Sequence, residues 1–162
     1  MITIQQYWMG RDKQYPAAFT KAIQSNGVAT VFLVNKVIAK FSAETGINLD
    51  QLASGWRPAA VNDATSNAAS HSTHIIAKGE DVRDTPNRDF ARWVCKNKAF
   101  LEEIGLWVER FEWTSKLNQK TGEWENWVHL QTVPPLSGHR YYIPSTAPAL
   151  AKRLPEQDQY GC

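Results

Sequence analysis

Long apolar runs are missing from this chain, and so is any surplus of one charge. No stretch approaches the roughly 20 apolar residues that a transmembrane helix needs. Lys and Arg number 18 against 16 Asp and Glu, a formal net charge of +2. That balance does not mark nucleic acid or an anionic membrane as the partner. Cysteine is scarce, with only Cys95 and Cys162. Two thiols do not make a disulfide scaffold, and both are read as free. The opening MITIQQYWMGRDK has no basic segment leading into an apolar one, so no secretory signal is expected. Repeats and low-complexity tracts are also missing.

What is present fits one globular domain. The 162 residues are 43 % hydrophobic and 21 % charged, which excludes wholesale disorder and allows a core without staples. Tryptophan is the one excess. Of seven, Trp107, Trp113, Trp124 and Trp127 crowd into residues 107–127, where they build a core or a wall around a ligand.

Pro16 suits the first turn of a helix. Asn26-Gly27 either ends that helix or sits within it. Val31, Val34, Ile38 and Phe41 keep helical spacing, which predicts an amphipathic helix over 28–44, stopped by Gly46. QLASGWR at 51–57 reads as a short strand turning at Pro58, and VNDATSNAAS at 61–70 as a loop or short helix. GEDVR at 79–83 reads as a strand, and Phe90, Trp93, Val94 and Leu101 predict a helix over 87–102. The run from Ile104 to Val108 is a further strand candidate. Thr121-Gly122 marks a hairpin tip, and the strand over 127–133 turns Trp127, His129 and Gln131 to one side, Val128 and Leu130 to the other. Pro134-Pro135 closes it, and Pro144, Pro148 and Pro155 mark a peripheral tail. The order predicts an α+β domain with a small antiparallel sheet flanked by helices.

Four histidines are candidates for chemistry: His71, His74, His129 and His139. His74 stands in SHSTHIIAKGED, seven residues before Asp81, and His129 sits in the middle of NWVHLQ. A histidine on a strand face beside Trp127 is either a core residue with its hydrogen bond satisfied or a ligand. Taken together, His74, Asp81 and His129 supply two imidazoles and a carboxylate. That is the donor set of a catalytic zinc site with one open position. Ser72 and His74 as a nucleophilic pair fare poorly, because the G-x-S-x-G elbow is absent. His71 and His139 are read as surface residues.

Three stretches taken in order carry a family resemblance: Ser54-Gly55-Trp56-Arg57-Pro58, then Ser72 through Asp81, then Trp127-Val128-His129-Leu130-Gln131. Together they resemble the zinc D-Ala-D-Ala carboxypeptidase family. It includes VanX-type dipeptidases and phage L-alanyl-D-glutamate endopeptidases, and the sonic hedgehog amino-terminal domain shares its fold. The family pattern is SG-[YW]-R, then S-x-H-x-x-G-x-A-x-D, then a strand with W-x-H. Ser72, His74 and Asp81 match it, while Ala77 and Gly79 exchange its two small residues. QYWMGRD, GLWVE at 105–109 and WVHLQTVPPLSGHRYYIP at 127–144 are similar to phage and prophage members. The resemblance spans about residues 5–144, taken as the core of a single domain over 1–162, with 145–162 as the tail.

The resemblance implies a zinc metallopeptidase acting on bacterial peptidoglycan stem peptides, as a D-Ala-D-Ala carboxypeptidase or an endolysin-type endopeptidase. Zn2+ would be held by His74, Asp81 and His129. The family's general base is a carboxylate, which in many relatives lies three residues before the last histidine ligand. Here that position is Asn126, so the base is sought among Glu109, Glu112 and Glu125. Glu109 is preferred because GLWVE resembles the end of the preceding strand. Glu125 is expected to face the wrong way. Arg57 would point into the cleft, to stabilise an oxyanion or hold a substrate carboxylate. Ser72 would bind substrate or orient His74, and Gln131 and Trp127 would line the cleft or cover the metal. The partner implied is the peptidoglycan stem peptide, with no nucleic acid and no membrane insertion, and the protein is expected as a monomer. Synthesis in a host cytoplasm is implied, with access to the wall after holin release or in a phage particle. Two other readings stay open: a non-catalytic zinc-containing module that binds wall or partner, and a cytoplasmic D-Ala-D-Ala dipeptidase.

Overall fold

A computed structural model describes residues 1–65, 68–111, 114–135 and 137–142. Three short elements of sequence set its N-terminal face. The helix α1 (Ile4–Trp8) is started by a capping box in which Thr3 and Gln6 satisfy each other's backbone N–H groups. The single turn α2 (Arg11–Gln14) follows. Pro16 falls in a turn rather than a helix, because the next helix takes Thr20 as its N-cap and begins after it.

That helix, α3 (Lys21–Thr45), runs unbroken through Asn26-Gly27. Gly27 is there for packing: a Cβ would stand 2.1 Å from the Trp8 ring. Gly46 ends the helix in the left-handed region at φ +74°. The buried stripe Val34, Val37, Ile38 and Phe41 lies against the sheet.

The sheet is built from β1 (Leu52–Ser54), β2 (Gly79–Arg83), β3 (Trp107–Glu109), β4 (Ser115–Leu117), β5 (Trp124–Gln131) and β6 (Tyr141–Tyr142). Its order is β1-β2-β5-β3-β6, and β4 forms a hairpin with the first half of β5. The expected all-antiparallel sheet needs one correction. Strand β6 pairs parallel to β3, with Val108 opposite Tyr141 and Glu109 opposite Tyr142. The return from β5 to the far edge of β3 forces that direction.

Between β1 and β2 lies α4 (Ala59–Asp63). The helix expected over 87–102 is two, α5 (Asp89–Lys96) and α6 (Lys98–Glu103), broken at Asn97 with φ −108°. Asp84 accepts from the N–H groups of Phe90 and Ala91 and so anchors the start of α5. Cys95 is buried and disulfide-bonded, which corrects its reading as a free thiol. Cys162 and the tail over 145–162 lie outside the described residues.

Alternation along the strands divides the sheet into two faces. Val82, Val108, Val128 and Leu130 point toward α3 and α5 and form the main core with Phe41, Phe90 and Leu101. Gly79, Asp81, His129 and Gln131 point the other way. A second cluster of Tyr7, Trp8, Val31, Trp56 and Ala77 packs against Phe19 and supports the loop that crosses this second face.

Candidate metal centre

Two strands and one loop bring the site together. In the antiparallel β2–β5 pair, Asp81 stands directly opposite His129 and Gly79 opposite Gln131. His74 arrives from the loop before β2, whose backbone is pinned at three points. Tyr7 Oη donates to the Gly79 carbonyl at 3.0 Å, Thr30 Oγ1 to that of Ala77 at 3.0 Å, and the Arg57 N–H to that of His74 at 3.1 Å.

The result is a buried cluster of His74, Asp81 and His129 whose ligand atoms lie within 4.8 Å of one another. His74 Nε2 is 3.2 Å from both His129 Nδ1 and Asp81 Oδ2, and His129 Nδ1 is 2.7 Å from Asp81 Oδ1. Ligand atoms of one tetrahedral ion with bonds of about 2.0–2.1 Å stand about 3.3 Å apart, so the two 3.2 Å separations suit a shared metal ion, while the 2.7 Å pair stands at hydrogen-bond distance.

The hydrogen bonds around the two rings assign their tautomers. His74 Nδ1 lies 2.7 Å from the Gly55 carbonyl, which only accepts. That nitrogen carries the proton, and Nε2 keeps a free lone pair. His129 Nε2 lies 3.2 Å from Gln131 Oε1. The amide is held with its oxygen toward the ring, because its nitrogen donates to the Val133 carbonyl at 2.7 Å and Tyr142 Oη donates to Oε1 at 2.7 Å. His129 therefore donates from Nε2, and its Nδ1 faces Asp81 Oδ1 at 2.7 Å, a hydrogen bond when that nitrogen is protonated and a lone pair open to a metal ion when it is not. Two inward lone pairs 3.2 Å apart repel unless a cation or a shared proton stands between them. Gly55, Gln131 and Tyr142 thus orient the ligands from outside.

The electrostatics agree. Burial would raise the Asp81 carboxyl, but the two imidazoles hold it well below the usual carboxylate range. His74 is pushed down, chiefly by burial. Burial would lower His129 too, but its hydrogen bond to Asp81 and the charges of Asp81 and Glu109 bring it above its ordinary value.

Glu109 comes to the same place from β3. Trp107 pairs with Gln131 and Val108 with Leu130. One further step of that antiparallel register puts Glu109 level with His129 and on its face of the sheet. The residue is partly exposed, yet burial, opposed by the charge of His129, pushes its carboxyl up to about 7. Glu125 lies elsewhere for a reason other than the one expected. It shares the parity of His129 but stands four residues back, about 13 Å along the strand. There Arg83 and Lys116, each at 3.2 Å, and Asn118 occupy it and lower its pKa. Glu112 lies outside the described residues. Asn126 faces away and donates to the Thr85 and Pro86 carbonyls.

The remaining expected site residues divide. Ser72 Oγ accepts from the His74 N–H at 3.3 Å and from Arg57 Nη2 at 3.4 Å, so it shapes the ligand loop. Arg57 is close enough for its charge to act on Asp81 and His74, and its Nε is buried with no partner. Gln131 is buried with its amide fully engaged, which places it behind His129 rather than in an open cleft. Trp127 is half-buried on the His129 face, opposite Arg83. His71 and His139 are exposed.

The two exchanged small residues have separate causes. At Gly79 a Cβ would meet Thr73 Oγ1 at 2.3 Å and His129 Cε1 at 3.0 Å, so no side chain fits. Ala77 is buried at φ +55°, a left-handed conformation that costs about 1 kcal/mol for a residue with a Cβ. Thr73 Oγ1 also lies 3.4 Å from His129 Nε2. The support that Gly55, Thr73 and Tyr142 give to the two rings left no mark in the sequence, because it comes from a carbonyl and two hydroxyls brought in by packing. Compared with known proteins, the chain matches no family model, no curated protein and no solved structure.

Proposed function

We propose that this protein is a zinc metallopeptidase that cleaves peptide bonds in peptidoglycan stem peptides. The observation that carries the proposal is the convergence of His74 Nε2, His129 Nδ1 and the Asp81 carboxylate, with Glu109 on the adjacent strand level with them. Two neutral imidazoles, one carboxylate and a nearby second carboxylate make a hydrolytic set. A purely structural zinc site has no use for the second carboxylate. The choice of stem peptides rests on the resemblance of the three motifs.

Zinc in this site supplies Lewis acidity to the scissile carbonyl and acidifies water. Glu109 takes a proton from the attacking water on a carboxylate oxygen and returns it to the amine that leaves when the C–N bond breaks. A carboxyl poised near 7 suits both transfers. Arg57, beside Asp81, balances negative charge developing on the carbonyl oxygen. Gln131, Gly55 and Ser72 keep the imidazoles in place.

The test is mass spectrometry of purified sacculi incubated with the zinc-loaded protein, with and without chelator. New stem fragments that vanish on chelation are expected, and their masses name the bond. Intact sacculi in both samples, with free D-Ala-D-Ala also uncut, would reject the reading.

A further inference from the structure

The metal centre and its proposed chemistry leave the first half of β5 without a role. There the β4–β5 hairpin and the turn before α5 enclose an open hollow of about 380 Å³, walled by Pro86, Arg88, Ser115, Trp124 and Asn126. Asn126 stands three residues before His129, about 10 Å along the strand, and alternation turns it to the opposite face of the sheet. The hollow is therefore separate from the His74–Asp81–His129 cluster.

Strand pairing builds its floor. Ser115 stands opposite Asn126 and Leu117 opposite Trp124, so all four turn to one side of the hairpin. Asn126 Nδ2 donates to the Thr85 and Pro86 carbonyls at 3.4 and 3.3 Å and ties the turn to the hairpin. Arg88 Nη1 donates to the Phe111 carbonyl at 2.5 Å, and the guanidinium lies 5.6 Å from the centre of the Phe111 ring. The walls are thus held by neighbours, while the indole of Trp124 is 63 % exposed and Leu117 beside it 41 %. Among the described residues Ser115 Oγ, Asn126 Oδ1 and Trp124 Nε1 form no hydrogen bond.

That lining selects a ligand chemistry. A wholly apolar ligand would cover three polar groups and satisfy none. A cation is repelled by Arg88, the one charged residue of the lining. A nucleic acid needs more phosphate contacts than one arginine supplies. A sugar ring meets every wall. Its C–H face covers the indole, and its hydroxyls donate to Asn126 Oδ1, accept from Arg88 and do either with Ser115.

We propose that the hollow between the β4–β5 hairpin and the Pro86–Arg88 turn binds a sugar ring stacked on Trp124. The lining carries the sugar chemistry; that the sugar belongs to the glycan strand of peptidoglycan rests on the metallopeptidase reading, since stem peptides hang from that strand. A second contact of this kind holds the polymer and raises the local concentration of stems at the metal centre without shaping the cut.

Two-dimensional NMR of the nitrogen-labelled, zinc-loaded full chain tests the site, with a peptide-free trisaccharide of N-acetylglucosamine as the probe. The Trp124 indole N–H and the backbone amides of Ser115 and Asn126 are expected to shift together and saturably, while the Gly79 amide on the metal face stays. Trp124→Ala should weaken binding about tenfold, read on the two backbone amides, and Trp124→Tyr, which keeps an aromatic face, should recover most of it. Trp124 is exposed, so neither change opens the core. Trp124→Ala should also slow fragment release from sacculi while a free stem pentapeptide is hydrolysed as before; equal release would overturn the glycan strand as the source of the sugar. A proline-rich peptide, which also docks on exposed aromatics, is titrated in parallel. No saturable shift with the trisaccharide, binding indifferent to Trp124→Ala, or shifts with the peptide alone overturns the sugar site, even where stems are cut in a zinc-dependent way. Trisaccharide binding at Trp124 by a protein that cuts neither sacculi nor free stems keeps the sugar site and rejects the metallopeptidase reading, with the glycan strand as source.

Discussion

Replacing Glu80 by Gln should stabilise the metal-free protein, and by an amount that depends on pH. Strand β2 turns Glu80 toward the core, opposite Leu130 and on the side of Val82. The residue is fully buried, and neither carboxylate oxygen has a hydrogen-bond partner. Burial first, and the charge of Asp81 second, push its carboxyl from 4.5 up to about 8. Between those two values the folded chain keeps a proton that the unfolded chain has released. Stability therefore falls as pH rises through that window, by about 1.36 kcal/mol per pH unit. The loss is roughly 3 kcal/mol at pH 7 and on the order of 5 kcal/mol by pH 8. Glutamine keeps the shape and does not titrate. Urea unfolding followed by tryptophan fluorescence, in chelator and at pH 5, 6, 7 and 8, gives the comparison directly. Glu109 and Asp84 titrate in both proteins, so their contributions cancel in the difference. The advantage of the variant should be small at pH 5 and grow steadily to pH 8. A difference that stays constant across this range would refute the buried, unpaired placement of Glu80.

Four further outcomes are expected. Glu109→Gln should lower hydrolysis by about 10²- to 10⁴-fold with zinc content unchanged; activity kinetics with metal analysis checks both, and an unaffected rate removes Glu109 as the base. Gly79→Ala should weaken zinc binding in a chelator competition, because its Cβ falls 2.3 Å from Thr73 Oγ1 and 3.0 Å from His129 Cε1; wild-type affinity would contradict the packing argument. Gln131→Leu removes the acceptor that fixes the His129 tautomer and should cost about 10- to 100-fold in zinc affinity, with Tyr142→Phe costing less; equal affinities in the same competition would dismiss the orienting role. Zinc at about 100 times its dissociation constant should stabilise the fold by about 2.7 kcal/mol, and His129→Ala should abolish the gain; differential scanning calorimetry with and without chelator reads it.

The cluster of His74, Asp81 and His129 was legible because its signals are local. His74 and Asp81 sit in one motif, and the period of two along β5 showed which residues share the face of His129. The strand over 79–83 and the glycine stop at Gly46 followed from the same short-range rules. The choice of Glu109 over Glu125 was supported by resemblance but not decided by spacing. Where the two glutamates lie followed only from the register of β3 on β5 and the ion pairs that occupy Glu125. The break at Asn97 and the unbroken passage through Gly27 also escaped the periodicity, since the second depends on where the Trp8 ring packs.

By itself the sequence determined which side chains can ligate and which way each strand turns them, because alternation is a property of consecutive residues. Only the tertiary structure decided which of those side chains meet. His74 meets its carbonyl partner 19 residues away and His129 its carboxylate partner 48 residues away. The hydrogen bonds that orient the two rings, the exclusion of a side chain at position 79 and the seat of Arg11 on the Trp56 carbonyl all depend on atoms that approach only when those distant segments pack.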